Sequence, residues 1–147
     1  MGSIYNKADN DAIITRINSL SPESKALWGK MTVDQMCKHC NAVIQIGFGK
    51  QTLKTNFLLR ILGKLLKNKA FNNDFGKNSP TSKELKFEGT YDFEISRKEF
   101  AESFNQFAQG TEVIKVMDHP FWGKMTYDDW DKLMWRHTDH HLRQFGV

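Results

Sequence analysis

The sequence lacks the features that mark secreted and membrane-spanning proteins. Its 147 residues include only two cysteines, Cys37 and Cys40, which cannot form a disulfide framework. No window holds the ~18 uninterrupted apolar residues of a membrane span, and the residues after Met1 lack the apolar run of a signal peptide. We therefore expect a cytoplasmic protein with reduced thiols and no stable insertion into a membrane.

The chain also lacks the dense basic face of a nucleic-acid-binding protein. Its net charge is only +4, and no aromatic or glycine-rich readers accompany the basic residues. Eleven Phe and four Trp supply apolar surface for a core, and a chain of this length can bury roughly two thirds of its unfolded surface. We expect residues 1–147 to form one domain that folds without metal or disulfide, so that a bound metal would serve function.

Helical spacing of apolar residues dominates the first fifty positions, and strand patterns are scarce. Asp9 or Asn10 can cap a first helix that stops at the Ser-Pro pair of residues 21–22. Residues 32–35 have the sequence of a capping box and open a second helix, which the Gly-Phe-Gly segment at 47–49 ends. The short link between these helices makes them antiparallel neighbours.

Two further helices follow a long crossover, residues 50–95. A second capping box at residues 96–99 opens a helix that Gly110 closes, and the last helix runs from Thr126 to Gly146. The crossover contains an additional amphipathic helix and a short extended segment at 85–88. Because a long connection lets successive helices run parallel, we predict an all-α four-helix bundle of up-down-down-up order, with the extra helix between helices two and three.

The extra helix is both amphipathic and basic. No acidic residue occurs between Lys50 and Asn73. Such a helix can cover the bundle with its lysines in water, or it can lie on an anionic membrane, and we favour the first interpretation. Its apolar residues are Phe57, Leu58, Ile61, Leu62, Leu65 and Leu66, and the basic residues around them are Lys54, Arg60, Lys64, Lys67 and Lys69.

A five-residue sequence, Trp-Gly-Lys-Met-Thr, occurs twice. It occupies residues 28–32 and 122–126, in each case just before a predicted helix. One repeat over so long a distance does not indicate a solenoid. We interpret it as a shared way of starting helices two and four, with equivalent capping and packing.

Two histidines on the last helix indicate a metal site. At ~100° per residue, His137 and His141 lie about 40° apart and one turn apart, near the centre of the apolar stripe. Two imidazoles at this spacing can bind one divalent ion. Core hydroxyls or backbone carbonyls could instead form hydrogen bonds with the two rings. A buried ring nitrogen without any partner would reduce the stability of the folded state by roughly 1–3 kcal/mol. We favour the metal.

The third ligand is less clear from spacing alone. His39 lies at the edge of the apolar stripe of helix two, where it can point toward helix four or serve as an ordinary interfacial histidine. His140 competes with it, although one helix cannot easily aim three rings at one point. His119, before Pro120, is expected to be structural or solvent-exposed.

The two cysteines form a C-x-x-C pattern that we do not interpret as a redox motif. Redox motifs of this kind lie at a helix N-terminus after a strand, whereas Cys37 and Cys40 lie within a helix. Small core residues are the better interpretation, and contact of Cys40 with a soft metal remains the alternative.

Three segments resemble the DinB-like (YfiT-like) superfamily, most closely a branch catalogued as a domain of unknown function. They are residues 27–39 with their Leu-Trp-Gly-Lys-Met-Thr start, residues 119–123, and the H-x-x-H-H-L-x-Q-F-G sequence at 137–146. The resemblance implies an up-down-down-up four-helix bundle. It also implies a nickel, zinc or iron ion bound by His39, His137 and His141.

A three-histidine site leaves coordination positions open, as catalytic sites do. An open divalent ion can activate water, bind a thiolate or polarise a carbonyl. The superfamily includes S-transferases that use low-molecular-weight thiols, so the resemblance implies a metal-dependent transferase or hydrolase acting on a small molecule. Candidates for supporting roles around the ligands are Gln35, Asp139, His140 and Gln144.

A non-catalytic bundle is the alternative function. It would bind a ligand or partner, for example through the crossover helix, with the histidines structural or metal-free. The oligomeric state is open between monomer and homodimer, since related bundles often dimerise.

Overall fold

The computed structural model describes all 147 residues and confirms an all-α bundle. Its only strands, β1 (Asp118–His119) and β2 (Gly123–Lys124), pair antiparallel in a small hairpin. Short 3-10 turns lie in the connections. The helices are α1 (Lys7–Asn18), α2 (Val33–Gly47), α3 (Phe57–Asn72), α4 (Phe93–Asn105) and α5 (Tyr127–Gln144).

Helices α1 and α5 run parallel. The backbone N–H of Ile4, just before α1, donates to Asp131 early in α5. Arg16, near the end of α1, pairs with Asp139 in the second half of α5 at 2.8 Å. The starts of the two helices contact each other, and so do their later parts. The two helices therefore run in the same direction.

Helices α2 and α4 also run parallel to each other. Asp34 at the start of α2 accepts from the backbone N–H of Tyr91, just before α4. Gln45 near the end of α2 donates to the hydroxyl of Ser103 near the end of α4.

The two parallel pairs are opposed, which completes the predicted order. Asn10, early in α1, donates its side-chain amide to the carbonyl of Phe104, late in α4. Arg97, early in α4, donates to the carbonyl of Asn18 at the end of α1. The bundle of α1, α2, α4 and α5 is therefore up-down-down-up, and α3 lies in the long crossover.

A single cluster of 26 buried apolar residues lies between the four bundle helices. Because each helix carries one apolar stripe, this arrangement removes all four stripes from water. The largest side chains that are almost completely buried include Trp130 of α5, Phe100 and Phe104 of α4, and Phe107 just after α4.

The repeated five-residue sequence starts two helices in the same way, as predicted. The backbone N–H of Thr32 donates to Gln35, and that of Thr126 donates to Asp129, each at the third position of its helix. Both repeats contain a glycine in a left-handed conformation that other residues rarely adopt. These glycines are Gly29 (φ 83°) and Gly123 (φ 73°).

The predicted start of the first helix was wrong by a few residues. Asn6 caps α1, because its side-chain oxygen accepts from the backbone N–H of Asp9. Asn10 is instead buried, and its amide donates to the carbonyls of Ile4 and Phe104. Asn10 therefore holds the N-terminal segment against α4 rather than capping a helix.

The capping box predicted at residues 96–99 was also wrong. Asp92 caps α4 by accepting from the backbone N–H of Ile95 at 2.9 Å. Ser96 lies one turn inside the helix, and its hydroxyl donates to the carbonyl of Asp92. The segment predicted as extended at 85–88 begins with the last residue of a 3-10 turn, Lys83–Leu85.

The expected packing of α3 is reversed. Its leucines face solvent, whereas Arg60 and Lys67 point to the body of the protein and pair with Asp118 and Asp129. Helical periodicity shows that a helix has an apolar face, but it does not show whether that face meets the rest of the chain. No helix is long and apolar enough to cross a bilayer.

Candidate metal centre

The second half of α5 presents two imidazoles to the interior of the bundle. His137 and His141 lie one turn apart on the helix, and their ring centroids are 4.6 Å apart. The capping box at Thr126 and the buried Trp130 and Met134 fix the rotation of α5 that turns this stripe inward.

Helix α2 supplies a third imidazole from the opposite side. The ring centroid of His39 lies 5.0 Å from that of His137 and 4.8 Å from that of His141. The Nε2 atoms of His39 and His137 are 3.0 Å apart. One donor atom from each of the three rings lies within 4.8 Å of the other two. We call these three residues the histidine cluster.

Hydrogen bonds orient two rings of the histidine cluster. Nδ1 of His39 lies 2.8 Å from the carbonyl oxygen of Leu85, and Nδ1 of His141 lies 2.8 Å from Oε1 of Gln144. Since both partners are acceptors, each Nδ1 carries the proton and each Nε2 keeps its lone pair. Gln144 is held in turn, because its Nε2 donates to the carbonyl of Trp28 at 2.7 Å.

Burial keeps the histidine cluster neutral. It lowers the pKa of His39 below the ordinary value, and it lowers the pKa of His141 to about 3. The pKa of His137 is lowered well below the ordinary range by burial and then by the neighbouring histidines. Three neutral imidazoles at neutral pH are the form that binds a metal ion.

The histidine cluster is least covered at His137. His39 and His141 are buried, whereas His137 is partly exposed. Phe75, in the loop after α3, lies edge-on to His137 with ring centroids 6.0 Å apart, and it also contacts His140. The side of the cluster formed by His137 and Phe75 is therefore its least covered side.

The four residues predicted to support the ligands have different positions. Gln144 is hydrogen-bonded to His141. His140 packs beside His141 and edge-on to Trp28, 5.7 Å between centroids, with its pKa lowered by burial. Gln35 and Asp139 make no hydrogen bond to the histidine cluster. Gln35 caps α2 and donates to the carbonyl of Gly89, whereas Asp139 pairs with Arg16 and Arg143.

The two cysteines are core residues and do not join the histidine cluster. Both are buried, and the sulfur of Cys40 lies 3.6 Å from that of Met36 in the same helix. Burial raises the pKa of Cys37 to about 12 and the pKa of Cys40 well above its ordinary value. Thiols with such pKa values stay protonated at neutral pH and are poor nucleophiles.

Sequence reasoning missed three contributions to this site. The carbonyls of Leu85 and Trp28 orient the ring of His39 and the side chain of Gln144. Backbone carbonyls carry no residue-specific signal, so no pattern could have identified them. Phe75 is an aromatic residue in a breaker-rich loop, and its position over the site follows only from the path of the crossover.

The fold and the site together place this protein among all-α bundles that have a candidate metal site formed by three histidines. The chain belongs to a family described as Protein of unknown function (DUF1569), whose model matches residues 5–146. No curated protein and no solved structure matches the chain significantly.

Proposed function

We propose that this protein is a metal-dependent enzyme of the DinB-like superfamily, acting on a small molecule at His39, His137 and His141. The observation that carries the proposal is the convergence of three neutral imidazoles, one nitrogen from each, within 4.8 Å. A divalent ion bound there would supply Lewis-acid chemistry to a substrate.

The spacing of the ring nitrogens suits one ion. Two nitrogens that each lie ~2.1 Å from a tetrahedral ion are about 3.4 Å apart. The Nε2 atoms of His39 and His137 are already 3.0 Å apart. Imidazole is a good ligand for nickel, zinc and iron alike, so the donor set admits these three metals.

Three protein ligands favour a catalytic site over a structural one. Structural zinc sites are closed by four protein ligands, whereas catalytic sites keep a position for substrate. No carboxylate or thiolate joins the histidine cluster. The partial exposure of His137 provides a side from which a substrate can approach.

The residues around the cluster favour thiol transfer over hydrolysis. No carboxylate is hydrogen-bonded to the histidine cluster, and the nearest in sequence, Asp139, is paired with Arg16 and Arg143. No carboxylate base is therefore at hand to deprotonate a water molecule, so that hydrolysis would depend on the ion alone. In transfer from a low-molecular-weight thiol, the substrate itself brings the nucleophile.

Metal analysis tests the proposed site. Protein purified without a histidine tag is reconstituted with nickel, zinc or iron(II), beside His137→Ala, His141→Ala and the control His119→Asn. We expect about one equivalent in the unaltered protein and in the control, and strong loss in the other two variants. Less than about a tenth of an equivalent in the unaltered protein would contradict the metal site.

An activity screen then separates catalyst from passive binder. The loaded protein is assayed for transfer of low-molecular-weight thiols to electrophilic small molecules and for hydrolysis of esters and amides. Activity that persists in His141→Ala would place the reaction elsewhere. Stoichiometric metal without any activity would support the non-catalytic alternative.

A further inference from the structure

Helix α3 presents an uncovered apolar stripe to solvent. Four residues at helical positions i, i+3, i+4 and i+7 lie along one face. Their exposed fractions are 73% for Leu58, 40% for Ile61, 46% for Leu62 and 75% for Leu65. Phe57 and Leu66 extend the face at its margins and are also exposed. We call these six residues the α3 stripe.

Ion pairs on the opposite side of α3 fix this orientation. Arg60 pairs with Asp118 of β1, with Nη2 2.6 Å from Oδ2. Lys67 pairs with Asp129 of α5 at 2.7 Å. Because both cations point inward, rotating α3 to cover its leucines would break two ion pairs and bury apolar surface against charge.

Close backbone packing fixes the helix as well. Gly63 lies against the carbonyl of Phe121, so that a Cβ at this position would collide with that oxygen. Phe71, the penultimate residue of α3, is buried and meets Trp122 edge-on with ring centroids 5.2 Å apart. The contact surface of α3 is thus its basic and small-residue side, and the α3 stripe has no partner within the chain.

Positive charge surrounds the α3 stripe. Residues 50–73 contain no acidic side chain, and Lys54 and Lys69 are exposed without an ion-pair partner. The two carboxylates that contact α3 are those already neutralised by Arg60 and Lys67. Any surface that covers the stripe must therefore be apolar at its centre and negative around it.

A second copy of the chain fits this requirement poorly. Two copies joined through their stripes would bring the lysines of one near the lysines of the other. An anionic bilayer needs no second apolar surface of matching shape, because a single amphipathic helix can lie in its interface.

We propose that α3 docks the protein on an anionic lipid surface, with the α3 stripe among the acyl chains and Lys54 and Lys69 at the phosphates. Long lysine side chains reach from the apolar boundary to the headgroups. The contact is peripheral and reversible, in keeping with the absence of a helix that could cross the bilayer. It does not depend on the metal site.

Vesicle sedimentation tests this surface. The unaltered protein is mixed with vesicles of phosphatidylcholine alone or with about 30% phosphatidylglycerol, and we expect at least about tenfold stronger binding to the anionic vesicles. The double variant Leu58→Ser with Leu65→Ser should bind at least about tenfold more weakly. The matched control is Ile95→Ser, which removes an exposed apolar residue of α4.

Charge variants provide the second arm. Lys54→Glu with Lys69→Glu should lower binding at least about tenfold, whereas Lys25→Glu with Lys98→Glu, of the same net charge, should have much less effect. Absence of binding to anionic vesicles by the unaltered protein would overturn the proposal. So would equal binding to both compositions, or equal loss in the control variants.

Sedimentation velocity separates lipid binding from self-association. A dimer that disappears in Leu58→Ser with Leu65→Ser, together with no vesicle binding, would assign the stripe to a second copy and overturn the lipid proposal. Because the changed residues are exposed, unchanged thermal unfolding of the variants should show that they remain folded.

Discussion

His119 and the histidine cluster both contain imidazoles buried among apolar groups, but their ring nitrogens have different partners. Nδ1 of His119 accepts backbone N–H groups from Phe121 and Trp122, at 3.0 and 3.2 Å. Its ring packs against Trp130. In the histidine cluster the Nδ1 protons of His39 and His141 are bound by acceptors, and the Nε2 lone pairs converge instead.

The difference lies in where the free lone pairs point. His119 uses its lone pair within its own hairpin, so its burial leaves no acceptor unsatisfied and needs no ion. In the histidine cluster, three rings from two helices bring acceptors together, and one proton cannot serve all of them. Burial alone therefore does not identify a ligand, whereas convergence of lone pairs from separate elements does.

The largest expected effect is stabilisation by metal. At a free concentration 1,000 times Kd, an ion that binds only the folded state raises the free energy of unfolding by about 4.1 kcal/mol, or roughly 10 °C in Tm. His141→Ala should lose this gain, and His119→Asn should keep it. Thermal unfolding with zinc and with a chelator measures both.

The comparison would fail if both variants responded equally to metal. An equal response in His119→Asn and His141→Ala would place the ion outside the histidine cluster. A lost response in His119→Asn alone would make His119 a ligand, contrary to its two bonds from backbone N–H groups.

The sequence predicted the helices and the residues on their inward faces better than the packing of one helix against another. Spacing placed His137 and His141 on one inward stripe, and residues 32–35 and 126 opened helices as expected, because these features depend on neighbours within four residues. His39 was only at the edge of its stripe. Its approach to His137 depends on how α2 packs against α5, and no local pattern encodes that packing.

The errors have the same origin. Ser96 and Glu99 have the spacing of a capping box, but Asp92 starts α4 a turn earlier and leaves that pattern inside the helix. The amphipathic pattern of α3 was recognised, yet its leucines face outward because Gly63 and Arg60 make the contacts with the body. Local sequence indicates where a helix can start and which of its faces is apolar. Contacts between residues distant in sequence decide which start is used and which face is buried.

The second prediction concerns the pH dependence caused by His119. Burial lowers its pKa to about 4, against 6.5 in the unfolded chain. Between pH 6.5 and pH 4 the unfolded state binds a proton at His119 that the folded state does not bind. The contribution of neutral His119 to the free energy of unfolding is therefore fully present above pH 6.5 and falls as the pH is lowered toward 4. The loss is at most about 3 kcal/mol.

His119→Asn isolates this contribution, because an Asn oxygen can replace Nδ1 as acceptor and does not titrate. The measurement is the slope of the free energy of unfolding against pH, from urea titrations of the metal-free proteins. We expect a shallower slope between pH 4 and 6.5 in the variant, whatever its absolute stability. Identical slopes would contradict the buried, neutral state of His119.

The third prediction tests the support of one ligand. Gln144→Ala removes the acceptor that orients His141 and the bond to the carbonyl of Trp28. We expect a 10–100-fold weaker metal affinity, as is typical for the loss of such a partner. Gln45→Ala is the matched control, because this amide also bridges side chains, Asn41 and Ser103, away from the histidines. Competition with a coloured chelator measures both, and equal affinities would count against the role of Gln144.

The smallest expected effect is that of Asp139→Asn. Asp139 lies between two proposed ligands in sequence, yet its carboxylate contacts Arg16 at 2.8 Å and Arg143 at 2.9 Å. Partly exposed ion pairs contribute about 0.2–1 kcal/mol each, so the variant should lose little stability. Metal affinity should stay within about twofold, since a residue that orients a ligand would cost at least about tenfold. A tenfold loss of metal affinity would mean that Asp139 leaves its two arginines and contacts the histidine cluster when metal binds. Its position between His137 and His141 in sequence would then be a better guide to its role than its ion pairs.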